Sequence, residues 1–184
     1  MDTAGYAQEI VGELQRSAAQ LDAAGAEPFA ELLQRSGKIF VAGAGRSGLM
    51  GRAFAMRLMH AGRAAYVVGE TVTPGIEAGD VLVLGSGSGE TKGLVAMAEK
   101  AKAIGAAVAL VTIAPESTLG RLADYTVQLP GATKEASGER ATIQPMASLF
   151  EQTLLVFYDA VILRLMEWTG QTTTQMFGKH ANLE

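Results

Sequence analysis

Five runs of mostly apolar residues, at 38–42, 64–68, 81–84, 107–112 and 125–129, recur along the chain. Most are separated by segments of helical periodicity at 48–61, 91–104 and 117–123. A strand that is apolar nearly throughout must be covered on both faces, which a parallel sheet layered between helices provides. Parallel neighbours need right-handed crossovers, and the intervening helical segments supply them. The pattern predicts an α/β fold, a doubly wound five-stranded parallel sheet flanked by helices. With 184 residues, 48% of them hydrophobic, the chain can bury one sizeable core. A single domain over 1–184 is expected, with N-terminal helices over 1–36, an α/β core over 37–170 and a tail over 171–184.

Within the N-terminal part, Ile10, Val11, Leu14, Ala18 and Leu21 mark an amphipathic helix over 6–24. Gly25 interrupts it, and Pro28 suits the first turn of a second helix carrying Phe29, Leu32 and Leu33. The connection 69–80 holds Thr73-Pro74-Gly75 and no helical pattern, so it is expected as a loop over the active edge. Residues 130–144 form a longer loop, of a length typical of functional lids or disordered segments. The longest helix is expected over 145–169.

Two strand-to-helix junctions carry chemistry. The first, Gly85-Ser86-Gly87-Ser88-Gly89-Glu90-Thr91, empties an apolar strand into a helix start. A helix N-terminus offers unpaired N–H groups and a partial positive charge. Ser86, Ser88 and Thr91 add hydroxyls there, and glycines such as Gly87 let the backbone approach an anion. This is the pattern of a phosphate cradle; the plainer alternative is a loop whose Ser or Thr only caps the helix. The second junction, Gly43-Ala44-Gly45-Arg46-Ser47-Gly48, has the G-x-G-x-x-G spacing of a dinucleotide turn. Such a site also needs an acidic residue ending the next strand, and Glu70 comes late for that. Arg46 and Ser47 place a cation and a hydroxyl where dinucleotide turns keep bare backbone. A sugar-phosphate site fits both junctions better.

Composition excludes other classes. A formal net charge of −4 argues against nucleic acid or an anionic membrane surface as partner. The absence of cysteine removes disulfides and thiolate metal sites. The start, Met1-Asp2-Thr3-Ala4-Gly5-Tyr6, lacks the basic-then-apolar pattern of a secretory signal, and a cytoplasmic location is expected. The longest apolar region, 154–166, is broken by Asp159 and Arg164, too short and too charged to span a bilayer.

Four segments together carry a family resemblance. They are Val41-Ala42-Gly43-Ala44-Gly45-Arg46-Ser47-Gly48, the Gly85 to Thr91 loop, Gln144-Pro145-Met146-Ala147-Ser148-Leu149-Phe150-Glu151-Gln152, and His180-Ala181-Asn182-Leu183-Glu184. The chain resembles the 6-phospho-3-hexuloisomerases of the sugar isomerase (SIS) domain family, whose fold is flavodoxin-like. The resemblance implies interconversion of D-arabino-hex-3-ulose 6-phosphate and fructose 6-phosphate, after formaldehyde fixation in the ribulose monophosphate pathway. It implies no metal or organic cofactor, and a homotetramer with sites near subunit boundaries. On the matching positions it implies that Ser47, Ser86, Ser88 and Thr91 contact phosphate or sugar, and that Glu151 is the base. Arabinose 5-phosphate isomerase is a neighbouring alternative. A sugar-phosphate sensor is another, but a regulator would bring a basic helix-turn-helix, for which the first 40 residues are too short and insufficiently basic.

The chemistry is consistent with that implication. Moving a carbonyl from C3 to C2 removes a proton from C2 and returns one to C3 through a shared enediol, and one carboxylate can do both. Glu151 lies among Leu149, Phe150, Leu154 and Leu155, whose partial shielding would suit it as a general base, the alternative being a surface glutamate on an amphipathic helix. Arg46 can pair with the phosphate, polarise the enediolate oxygen, or form a structural ion pair. His60, ending a helix, reads as a C-terminal helix partner. His180 sits in a polar tail, either solvated or, by the family-like ending, in the active site.

Overall fold

The computed structural model describes residues 1–131 and 142–183. Five strands, β1 (Lys38–Gly43), β2 (Ala64–Val67), β3 (Val81–Gly85), β4 (Ala107–Thr112) and β5 (Tyr125–Gln128), form one sheet in the order β2-β1-β3-β4-β5. All pairings are parallel, with Val41 beside Val67 on one side and Val83 on the other. The predicted five-stranded parallel sheet is therefore present. Its strand order reverses between β1 and β3, and in open α/β sheets ligands bind outside the carboxyl ends of the strands at that point.

Seven helices complete the described residues: α1 (Thr3–Ala18), α2 (Ala23–Arg35), α3 (Gly45–His60), α4 (Lys92–Ile104), α5 (Thr118–Leu122), α6 (Ser148–Thr169) and α7 (Thr173–Phe177). Strand side chains alternate between faces with a period of two. Ile39, Val41, Val81, Val83 and Val111 meet Phe29 of α2, Phe54 of α3 and Phe157 of α6. The intervening Phe40, Ala42, Leu82, Leu84 and Leu110 meet Leu94 and Ala98 of α4 and Leu119 of α5. Each such buried Val, Leu, Ile or Phe side chain stabilises the fold by about 1.5–3 kcal/mol. Phe54 and Tyr158 stack with ring centroids 4.1 Å apart at 6°, joining α3 to α6.

Several boundaries differ from the sequence expectation. α1 stops at Ala18, and α2 begins before Gly25 because the Asp22 carboxylate accepts from the Ala24 N–H, a cap that outweighs the glycine. Pro28 thus lies inside α2, where it withholds one donor, the partner of the Ala24 carbonyl. α3 starts inside the glycine-rich junction, so Arg46 and Ser47 belong to its first turn. α6 starts three residues later than expected, after a turn in which the Ser148 hydroxyl donates to the Pro145 carbonyl at 2.8 Å. The polar tail contains α7, closed by a capping box between Thr172 and Gln175.

The 69–80 connection has no helix, as expected, but only its first part lies at the active edge. Thr73 Oγ1 donates to the Val67 carbonyl at 2.6 Å at the end of β2. Lys38 Nζ then reaches the Gly75 carbonyl, and Asp80 accepts from the Lys38 N–H at 2.8 Å, both at the opposite edge. A parallel crossover must return to the start of the next strand, which forces this path. Of the expected loop 130–144, residues 132–141 lie outside the described residues. Among the described residues no helix is long and apolar enough to cross a membrane.

Candidate functional site

Both chemical loops meet at the reversal point of the sheet. A Cβ built on Gly48 would stand 2.6 Å from the Gly43 carbonyl oxygen, and one on Gly43 would stand 2.9 Å from Gly48 Cα. The first turn of α3 can therefore rest on the end of β1 only while both positions lack a side chain. That contact carries Arg46 and half-buried Ser47 to the carboxyl edge of the sheet.

The β3 loop is braced from within. Ser86 is buried, and its Oγ accepts from the Gly89 N–H at 3.2 Å, leaving its own proton to donate. The Gly87 carbonyl accepts from Thr112 Oγ1 at 3.0 Å. Glu90 turns away from the loop mouth and accepts from the Thr118 N–H at 2.7 Å, and this backbone donor holds its carboxyl below the usual range. Ser88 is exposed, with its Oγ 3.3 Å from the Glu90 N–H that it accepts. Thr91 is the N-cap residue of α4, yet its side chain makes no capping bond. The loop presents hydroxyls at a helix start and keeps its acidic residue occupied elsewhere.

Glu151 enters from the other layer. Because α6 starts at Ser148 and not at 145, it sits in the first turn, where the helix dipole favours a negative charge. Its side chain is 13% exposed and accepts from Arg46 Nη1 at 2.8 Å. The preceding Phe150 is buried, and a Cβ on Gly87 would stand 3.2 Å from its ring. The carboxylate is thereby tied to both junctions, to α3 through Arg46 and to the β3 loop through the Phe150 contact with Gly87.

His180 lies elsewhere. Its ring stacks on His60, with centroids 5.4 Å apart at 22°, at the far end of α3. At 1.5 Å per residue, Arg46 and His60 are about 21 Å apart along that helix. One chain does not bring His180 to Glu151. His60 is 4% exposed, 3.3 Å from Arg57 Nη1 through its Nδ1. Burial first, and then the charges of Arg57 and His180, push its pKa below the ordinary value.

A buried carboxylate on α1 was missed in the sequence. Glu13 of α1 is 6% exposed and accepts from Thr142 Oγ1, from the Ile143 N–H at 2.8 Å and from Gln144 Nε2 at 2.8 Å. Its position was legible, since Ile10, Glu13, Leu14 and Ser17 follow the i, i+3, i+4, i+7 spacing of an inward helix face. A charge on that face demands partners.

The SIS domain pattern matches residues 32–163, which hold Arg46, Ser86, Ser88, Thr91 and Glu151 together. The chain belongs to the SIS domain family. This SIS chain is 54% identical over 185 residues to the 3-hexulose-6-phosphate isomerase of Bacillus subtilis (strain 168), covering 100% of both. It is 45% identical to the 3-hexulose-6-phosphate isomerase of Mycobacterium gastri, over 94% of this chain and 86% of that one. A crystal structure of a hypothetical protein of Methanococcus jannaschii, from which a 3-hexulose-6-phosphate isomerase function was inferred, superposes with a TM-score of 0.82. The two are 33% identical, with 97% of this chain and 96% of that one covered.

Proposed function

We infer that this SIS chain is an isomerase interconverting D-arabino-hex-3-ulose 6-phosphate and D-fructose 6-phosphate, the step that follows formaldehyde fixation in the ribulose monophosphate pathway. The end-to-end 54% identity to the Bacillus subtilis 3-hexulose-6-phosphate isomerase carries the activity. The mechanism rests on one observation, a carboxylate at the reversal point of the sheet, paired with a guanidinium at 2.8 Å beside a hydroxyl-rich helix start.

In this reading the 6-phosphate lies at the N-terminus of α4. Ser86, Ser88, Thr91 and the Gly87 backbone donate to it, and Ser47 contacts the sugar phosphate from α3. Glu151 takes the C2 proton of the 3-ketose as the C3 carbonyl becomes an enediolate. The O2 proton passes to the O3 oxyanion, and the same carboxylate then returns its proton to C3 as C2–O2 becomes the new carbonyl. Arg46 orients the carboxylate and faces the developing oxyanion, so the ion pair and the oxyanion contact are successive states of one side chain.

His180 acts in the site of a neighbouring subunit of a cytoplasmic homotetramer. The distance along α3 supports this, because His180 has no path to Glu151 of its own chain. Exposed Leu49, Met56 and Met59 on α3 and Val156 and Leu163 on α6 provide apolar surface for subunit contacts.

The test is a coupled assay in which hexulose 6-phosphate is made in situ from ribulose 5-phosphate and formaldehyde. The wild-type protein converts it to fructose 6-phosphate. Glu151→Gln lowers turnover by roughly 10²–10⁴-fold while still binding fructose 6-phosphate. No conversion by the wild type would remove the activity, and near-normal turnover in the variant would move the base elsewhere.

A further inference from the structure

The buried carboxylate of Glu13 makes no contact with the proposed substrate groups, yet it is the hub of a knot placed just ahead of the helix that carries Glu151. Its three donors, Thr142, Ile143 and Gln144, are consecutive, and Thr142 Oγ1 also accepts from the Gln144 N–H at 3.0 Å. Gln144 is itself buried. Between the knot and α6 the chain turns through Met146 at φ 58, which alone among the described non-glycine residues has a positive φ. A left-handed residue with a side chain is strained and persists where the flanking structure over-determines it. Here the flanks are the Glu13 knot upstream and the Ser148 to Pro145 turn downstream. α1 packs directly on α6, so the knot and the helix share one support.

We propose that Glu13 is a positioning residue for the isomerisation: from α1 it anchors residues 142–144, which fixes the entry of α6 and hence the placement of Glu151 against Arg46. The proposal rests on Glu151 being the base. Burial alone would raise the Glu13 pKa, but the hydrogen bonds from Thr142, Gln144 and Ile143 and the charge of Arg16 outweigh it and hold the carboxyl below its usual range. The knot is therefore intact at neutral pH. The groups proposed to hold the phosphate sit on other elements, the β3 loop, α3 and α4, so loosening the knot affects turnover before it affects phosphate affinity. A purely structural carboxylate would instead change stability and leave the turnover of folded protein alone.

The experiment compares wild type, Glu13→Gln, the double variant Glu13→Gln with Gln144→Glu, and the milder Thr142→Val. It reads kcat and KM in the coupled assay, inorganic phosphate affinity by titration, and amide hydrogen exchange in the first turn of α6. Misplacement of a catalytic group on the ångström scale costs up to about a hundredfold. Glu13→Gln is expected to lose roughly tenfold to a hundredfold in kcat, with KM and phosphate affinity within about twofold and faster exchange at 148–152. The double variant, which moves the charge across the same hydrogen bond, regains part of the loss in both readouts. Unchanged kcat in folded Glu13→Gln, or a loss without faster exchange at 148–152, overturns the proposal. If Glu13→Gln does not fold, Thr142→Val decides by the same criteria. An inactive wild type would refute the isomerase reading, and the exchange measurement would still decide whether Glu13 sets the α6 entry.

Discussion

Arg46 and Glu151, 105 positions apart, share a 2.8 Å hydrogen bond that joins the first turn of α3 to the first turn of α6. The guanidinium is 47% exposed while the carboxylate is 13% exposed, so the cation faces the mouth of the site and the anion lies behind it. In the proposed site an incoming phosphosugar would meet Arg46 first. Arg46→Ala is expected to lower kcat/KM by roughly 10–100-fold, equivalent to about 1.5–3 kcal/mol for a charged hydrogen bond. Arg46→Lys keeps the charge without the fork and recovers only part of it. Steady-state kinetics of the two variants checks this; an unchanged kcat/KM in Arg46→Ala would leave the pair a structural tie.

Ser88 is the exposed hydroxyl of the β3 loop, and its Oγ holds only one weak contact, at 3.3 Å. Ser88→Ala should leave folding unchanged and weaken binding of both fructose 6-phosphate and inorganic phosphate by about 10–100-fold, the effect of one charge-assisted bond. Isothermal titration measures it, and equal affinities in variant and wild type would take Ser88 out of the phosphate site.

Gly87 transmits geometry rather than charge. A branched side chain there collides with the Phe150 ring, already 3.2 Å from a bare Cβ. Gly87→Val should cost about 1–3 kcal/mol of stability through overpacking. It should also reduce turnover, because Phe150 precedes Glu151. Thermal melts and kcat together test it, and a variant that is destabilised but fully active would separate the two residues.

His60 predicts a pH dependence with a definite sign. Its pKa is lower folded than unfolded, by burial first and then by Arg57 and His180, so the native state favours the neutral ring. The stability this gives is present above the ordinary value of 6.5 and is lost as pH falls through that value toward the folded pKa. His60→Gln should flatten the stability profile in that window, leaving the carboxylate-driven loss at lower pH. Denaturant midpoints at a series of pH values measure it, and an unaltered slope would place the titration elsewhere.

The sheet was legible because β1, β3 and β4 are apolar nearly throughout, a pattern that double coverage explains. The two site loops were legible because small residues and hydroxyls at strand ends have few other uses. Three features were not. α7 has five residues, too few for periodicity to register, and is held by its capping box. The partners of Glu13 lie 129–131 positions away, so the residue's helix face could be read but not what satisfies it. The placement of His180 against His60 depends on α6 running beside α3 and returning the tail to the far edge, a tertiary fact that local sequence does not encode.

The contact of Gly48 with Gly43 separates what can be re-engineered at this site from what cannot. Neither position admits even a methyl group, since each would press on the other's backbone at 2.6–2.9 Å. The same turn exposes Arg46 to solvent beside them. A library built to retarget the scaffold to sugars of another length or stereochemistry would hold the two glycines constant and leave the diversity to positions outside this intolerant hinge.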